Sequence, residues 1–118
     1  MAKRVKRIID AEDLERVIKR SNRKPVFIFK HDAMLQESED AFQAYLDFME
    51  DTEEDILFTA IYAREDAVLA EEMEDLLEVG GDVPQLVLLM DEEVVWDDAK
   101  DNINLNSIMD VVNEYVSV

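Results

Sequence analysis

The chain of 118 residues contains no cysteine. Disulfide staples, thiolate catalysis and thiolate-bound metals are excluded together. Proline and glycine are scarce, two of each, so Pro25, Pro84 and the pair Gly80-Gly81 are the clearest punctuation in the chain. Histidine occurs once, at His31. No apolar run approaches the roughly 18 residues of a membrane span. The basic N-terminus is not followed by an apolar segment and a small-residue cleavage site, so no secretory signal is expected and the cytoplasm is the expected compartment. The apolar content is ordinary for a globular protein and excludes a disordered acidic tail. The length suits one domain, residues 1–118, able to bury a core without staples.

Positive charge is scarce beyond residue 30. The formal net charge is -18. Residues 1–30 carry ten Lys and Arg against four acids, or +6, whereas residues 31–118 hold only Arg64 and Lys100 against 26 acids, or -24. A field of this sign repels nucleic acid and anionic lipid, so neither is an expected partner. The basic segment is expected to lie against the acidic body and to lower its self-repulsion. The acidic clusters at 37–40, 50–55, 71–75, 91–93 and 97–98 lack the spacing of an EF-hand loop. They read as solvated faces that attract cations weakly, and no metal site or cofactor is expected. The same surface suits a salt-rich, halophilic cytoplasm.

What is present is a regular alternation of short elements. Val5 to Ile8 reads as a first strand. Asp10 can cap a helix that carries Leu14, Val17 and Ile18 on one face and stops before Pro25. Val26 to Phe29 is apolar on both faces, the mark of a central strand. A helix capped by Asp32 follows, with Leu35, Ala41, Phe42, Tyr45, Leu46 and Met49 inward. Ile56 to Ala63 is a second long strand. The next helix, from Asp66 to Leu77, turns Val68, Leu69, Met73, Leu76 and Leu77 inward and ends at Gly80-Gly81. Gln85 to Met90 and Val94 to Trp96 form a hairpin across Asp91-Glu92-Glu93. After a polar loop from Asp97 to Asn104, a last helix covers Leu105 to Val116. The order β-α-β-α-β-α-β-β-α predicts an α/β fold, a central mixed sheet flanked by helices on both faces.

Three short motifs sit on these elements: Phe29-Lys30-His31 running through Asp32-Ala33-Met34-Leu35-Gln36-Glu37-Ser38, then Val83-Pro84-Gln85, then Glu93-Val94-Val95-Trp96. In order and spacing they resemble the monothiol bacilliredoxins, thioredoxin-like proteins of bacteria that use bacillithiol. That family has a motif close to F-K-H-S-T-x-C-P-I-S, then S-P-Q, then E-V-V-W. The resemblance implies a thioredoxin-like fold, a cis proline at Pro84, and a substrate peptide paired to the backbone of Val83. It also places Leu35 where the family has its nucleophilic Cys and Gln36 where Pro follows it. Ser38 matches the family's Ser, while Asp97, Asp98 and Asp101 replace histidines that often follow the tryptophan.

The implied reaction resolves mixed disulfides and needs a thiolate at a helix N-terminus. Leu35 has no ionisable atom, and the Ser38 hydroxyl cannot replace a thiolate without an adjacent base. Leu35, Ser38 and His31 are therefore read as vestigial active-site positions with no catalytic role. Val83 and Pro84 are read as one wall of a surviving peptide groove, made more apolar by Leu35. The expected partner is a protein or peptide at that groove. Two other readings compete: an acidic protein that associates weakly with cations, and an enzyme of unrelated non-thiol chemistry using His31 with Asp32 or Ser38. A water-accessible polar pocket around His31 would favour the enzyme.

The charge distribution makes a prediction about salt. Folding concentrates the -24 of residues 31–118, and the Debye length falls from about 30 Å at 0.01 M to about 3 Å at 1 M salt. The melting temperature should rise between dilute buffer and molar KCl, and NaCl should act alike at equal ionic strength. A flat or falling melting curve series would refute this.

Overall fold

A computed structural model describes residues 3–117. The elements are β1 (Lys6–Arg7), α1 (Ala11–Arg20), β2 (Val26–His31), α2 (Gln36–Asp51), β3 (Leu57–Tyr62), α3 (Ala67–Leu77), β4 (Gln85–Met90), β5 (Glu93–Ala99) and, after a single 3-10 turn at Lys100–Asn102, α4 (Leu105–Tyr115). The five strands form one sheet in the order β1-β3-β2-β4-β5. β1 and β2 run parallel to β3, β4 runs antiparallel to β2, and β5 antiparallel to β4. This is the mixed sheet the element order implies.

β2 lies at the centre and all six of its residues are buried. Alternation splits them between two cores. Phe27 and Phe29 pack with Tyr45, Phe48, Phe58, Leu86 and the α4 residues Ile108, Val111 and Val112. Val26 and Ile28 pack with Leu14 and Val17 of α1, Leu69 and Met73 of α3, and Val87 and Leu89 of β4. The helices thus cover both faces, α2 and α4 on one, α1 and α3 on the other. α1 begins as the sequence implies, with the Asp10 carboxylate accepting the Asp13 N–H at 2.8 Å.

Several boundaries differ from the sequence reading. α2 starts at Gln36, not near Asp32, and Leu35 precedes it in extended conformation. Asp32 instead closes the turn before the helix, its Oδ1 accepting the Met34 N–H at 2.9 Å. α3 ends at Glu78, which is left-handed with φ 55°, and neither glycine has positive φ. The glycines lie beyond the cap, where the carbonyl of Gly80 accepts from Lys30 and Gln85. Val68 and Leu76, expected inward, are exposed, because the buried stripe of α3 is Leu69, Ala70 and Met73. β5 continues past Trp96 to Ala99, since pairing with β4 uses only backbone groups. Asp97 and Asp98 sit opposite Val87 and Leu86 on this edge strand.

The basic segment meets the acidic body at some points only. Arg7 pairs with Asp66 at 3.2 Å, Lys24 with Asp55 at 3.1 Å and Lys30 with Glu74 at 2.6 Å, and Lys3 bonds the carbonyl of Thr52. Lys6 and Arg16 turn back to Asp13 within the basic segment itself.

Tyr45 connects α2 to the sheet. Its ring lies among Phe27, Phe29, Phe42 and Phe58. Its hydroxyl donates to the Thr59 carbonyl at 2.9 Å and accepts the Thr59 N–H at 3.0 Å. Burial pushes the phenol well above its ordinary pKa, so it remains a neutral donor. Tyr45→Phe keeps the packing but removes the hydroxyl that bonds both backbone groups of Thr59. Urea unfolding should show a loss of about 1–3 kcal/mol, and a loss under about 0.5 kcal/mol would mean other groups take over these bonds.

Candidate functional site

β2 ends at His31, and α2 begins five residues later at Gln36. Between them Asp32 to Leu35 form a turn closed by the Leu35 N–H on the Asp32 carbonyl, 3.1 Å. Asp32 is fixed from outside by Arg64. Nε of Arg64 meets Oδ1 at 3.0 Å and Nη2 meets Oδ2 at 2.8 Å, a two-pronged contact. Arg64 and the Met34 N–H hold the Asp32 carboxyl below its ordinary pKa. The turn presents Met34 and Leu35 outward, 75% and 41% exposed. Leu35 supplies no side-chain acceptor to the first turn of α2. That turn carries Glu37 and Glu39, which face the positive end of the helix dipole.

Beneath this turn lies a closed polar cluster. His31 is 2% exposed and Ser38 fully buried. The His31 ring stacks on Phe42 with centroids 4.3 Å apart, and Phe29 and Tyr62 meet it edge-on at 5.6 Å. Nδ1 lies 2.7 Å from Ser38 Oγ, and Nε2 lies 3.0 Å from Glu39 Oε1. Ser38 Oγ also accepts the Asp32 N–H at 2.9 Å. One assignment satisfies every atom: a neutral imidazole whose Nε2–H donates to Glu39, with the Ser38 hydroxyl donating to Nδ1. Protonating Nδ1 would leave the Ser38 proton without that acceptor. Burial lowers the His31 pKa from its ordinary 6.5, and Glu39, Asp32 and Glu65 only partly oppose this.

The sequence-derived positions divide accordingly. His31 and Ser38 are brought together, Leu35 stands above them in solvent, and Val83 and Pro84 come from the segment that leads into β4, the strand beside β2. The register pairs Lys30 with Gln85, so Pro84 follows on beside His31. The Val83–Pro84 peptide is cis, and Pro84 is buried while Val83 is half-buried. The Pro84 carbonyl accepts the Lys100 N–H at 3.0 Å, whereas the backbone of Val83 takes no backbone partner among the described residues.

Two members of the cluster were not foreseen. Glu39 belongs to the acidic run 37–40, and nothing in its spacing marks it as the partner of a strand residue. Arg64 carried a usable signal, a solitary cation in a long acidic stretch.

The arrangement positions groups; it does not expose a reactive one. Ser38 and His31 resemble a nucleophile and base in contact, but both lie under the turn and the aromatic ring of Phe42. Neither is open in this arrangement to a substrate atom at the roughly 3 Å that proton transfer requires. Among the described residues no three His, Asp or Glu side chains converge on a possible metal position, and no helix is long and apolar enough to cross a membrane.

Sheet order, helix placement and the turn before α2 define a thioredoxin fold. Solved structures agree on this. A protein described by its thioredoxin fold superposes with a TM-score of 0.81 at 20% identity, covering 90% of this chain and 91% of that one. Malassezia sympodialis thioredoxin gives 0.78 at 11% identity, covering 97% and 92%. A mutant thioredoxin from Halobacterium salinarum NRC-1 gives 0.74 at 18% identity, covering 99% and 98%. The family model "Monothiol bacilliredoxin BrxC" matches residues 6–108, and the chain belongs to that family. No curated protein matches it.

The neutral His31 makes a pH prediction. With its folded pKa below the ordinary 6.5, the unfolded chain takes up a proton more readily than the folded one. Stability is full above pH 6.5 and falls as pH drops from there toward the lower folded value. His31 is the only histidine, so its ring signals in NMR are unambiguous. They should titrate below 6.5, and a midpoint at or above 6.5 would contradict the assignment.

Proposed function

We propose that this chain is a thioredoxin-fold binding module without thiol chemistry, which docks an extended, apolar peptide segment of a partner protein. The carrying observation is a juxtaposition. The exposed Met34 and Leu35 follow the end of β2, and the β2–β4 register brings Val83 to that sheet end, where among the described residues its backbone N–H and C=O have no backbone partner. Pairing an extended peptide with such a backbone edge requires no sulfur. Apolar side chains of that peptide would cover Met34 and Leu35.

Two further features support the reading. The turn bearing Met34 and Leu35 is held by the Asp32–Arg64 contact and by Ser38 beneath it, so little order is lost on binding. Beside Pro84, the segment 100–104 and α2 enclose a cavity of about 450 Å³ lined by Ala41, Ala44 and Ile103, with the carboxylates of Glu37, Asp40 and Asp101 against one cation, Lys100. A peptide with an apolar centre and a basic flank would find both parts. In this reading the protein works in the cytoplasm, and its acidic surface reflects a salt-rich one. The closed packing around His31 and Ser38 disfavours an enzyme there.

The test is selection from a displayed library of cysteine-free peptides, followed by NMR mapping. Enriched peptides should be apolar and shift the amides of Leu35 and Val83. Leu35→Glu, at an exposed position, should leave the fold intact and weaken binding about tenfold or more, the usual cost of charging an apolar contact. No enrichment, or equal binding to the variant, would end this reading.

A further inference from the structure

Over α1, the +6 segment supplies most of a concave site. Asp13, Arg16, Val17 and Arg20 recur at helical spacing along one face of α1. Lys6 of β1, Lys19 and Leu57 of β3 complete a cavity of about 310 Å³. Its floor is apolar: Val17 is 1% exposed and Leu57 is half-buried. Four cations line it against one carboxylate.

That carboxylate is already used. Asp13 is buried, and its oxygens take Lys6 at 3.1 Å, Arg16 at 3.4 Å and the Ile9 N–H at 3.2 Å. It sets Lys6 and Arg16 in place at the rim. Lys19 and Arg20 differ, because neither has a carboxylate within 4.0 Å among the described residues. Two unpaired cations therefore border an apolar floor in a chain of net charge -18.

We propose that this cavity binds a small amphiphilic anion, one carboxylate or phosphate on a compact apolar body. The apolar body would cover Val17 and Leu57, and the anionic group would meet Lys19 and Arg20. Size follows from the charge distribution. At physiological ionic strength charges are screened over about 8 Å, so a small anion at the rim senses chiefly the four cations and one carboxylate that line the cavity. A nucleic acid or anionic membrane would extend across the acidic body and be repelled. The volume matches the lower end of ligand pockets, about 300 Å³.

The experiment follows the methyl resonances of Val17 and Leu57 in the full chain during titration with octanoate, octyl phosphate, 1-octanol and inorganic phosphate. Saturable shifts with an octyl anion, at a Kd below about 1 mM, support the site. The tighter of octanoate and octyl phosphate identifies the head group. The double substitution Lys19→Gln with Arg20→Gln removes two exposed cations, orphans no carboxylate and leaves the floor intact. It should weaken anion binding about fivefold or more, as expected for two partly screened charges, with an unchanged circular dichroism spectrum. No saturable shift with either anion, equal binding of 1-octanol, or unchanged affinity in the double variant would overturn the proposal.

Discussion

Burial of β2 along its whole length is the constraint on which the rest of the structure depends. Four of its residues, Val26 to Phe29, are apolar and need only neighbours. The last two are Lys30 and His31, equally buried, and each must find polar partners or destabilise the core. Lys30 points to the α1–α3 side and binds Glu74 of α3 and the Gly80 carbonyl. His31 points to the other side and binds Ser38 and Glu39 of α2. One strand end thus ties down the loop leading to Pro84 and the start of α2. These are the two segments that flank the site.

The turn before α2 is thus supported from below although the chain has no cysteine. A thiolate at the start of α2 would need the turn, the helix end and the neighbouring strand. All three are in place, with Leu35 at the apex. Chemistry by the chain's own thiol is excluded by composition, whereas the geometry that would hold a bound peptide does not depend on sulfur. The chain from buried Ser38 and His31 out to the half-exposed Glu39 side chain is best understood in the same way. It satisfies groups beneath the turn, and burial keeps the imidazole neutral.

Charge is organised on a larger scale than any pair. Most of the ion contacts involve at least one exposed side chain and contribute little individually. Their arrangement still matters, because they leave some cations of α1 without acidic partners while the remainder of the surface is strongly negative. The molecule therefore offers two chemically different faces, an apolar one with acidic flanks at the end of β2 and a basic one over α1.

The sequence by itself determined the element order, the central place of Val26 to Phe29, the helix start at Asp10 and the absence of any thiol of the chain's own. These follow from local signals: periodicity, a capping carboxylate and a missing element. Family membership was legible from three spaced motifs. Only the tertiary structure decided where α2 begins, that Val68 and Leu76 face water, and that β5 runs on through two aspartates. Those outcomes depend on which neighbour lies across the gap, and periodicity does not report that. The pairing of His31 with Glu39 and of Asp32 with Arg64 belongs to the same class. Each joins residues on different elements, and a contact made across a fold has no fixed spacing along the chain.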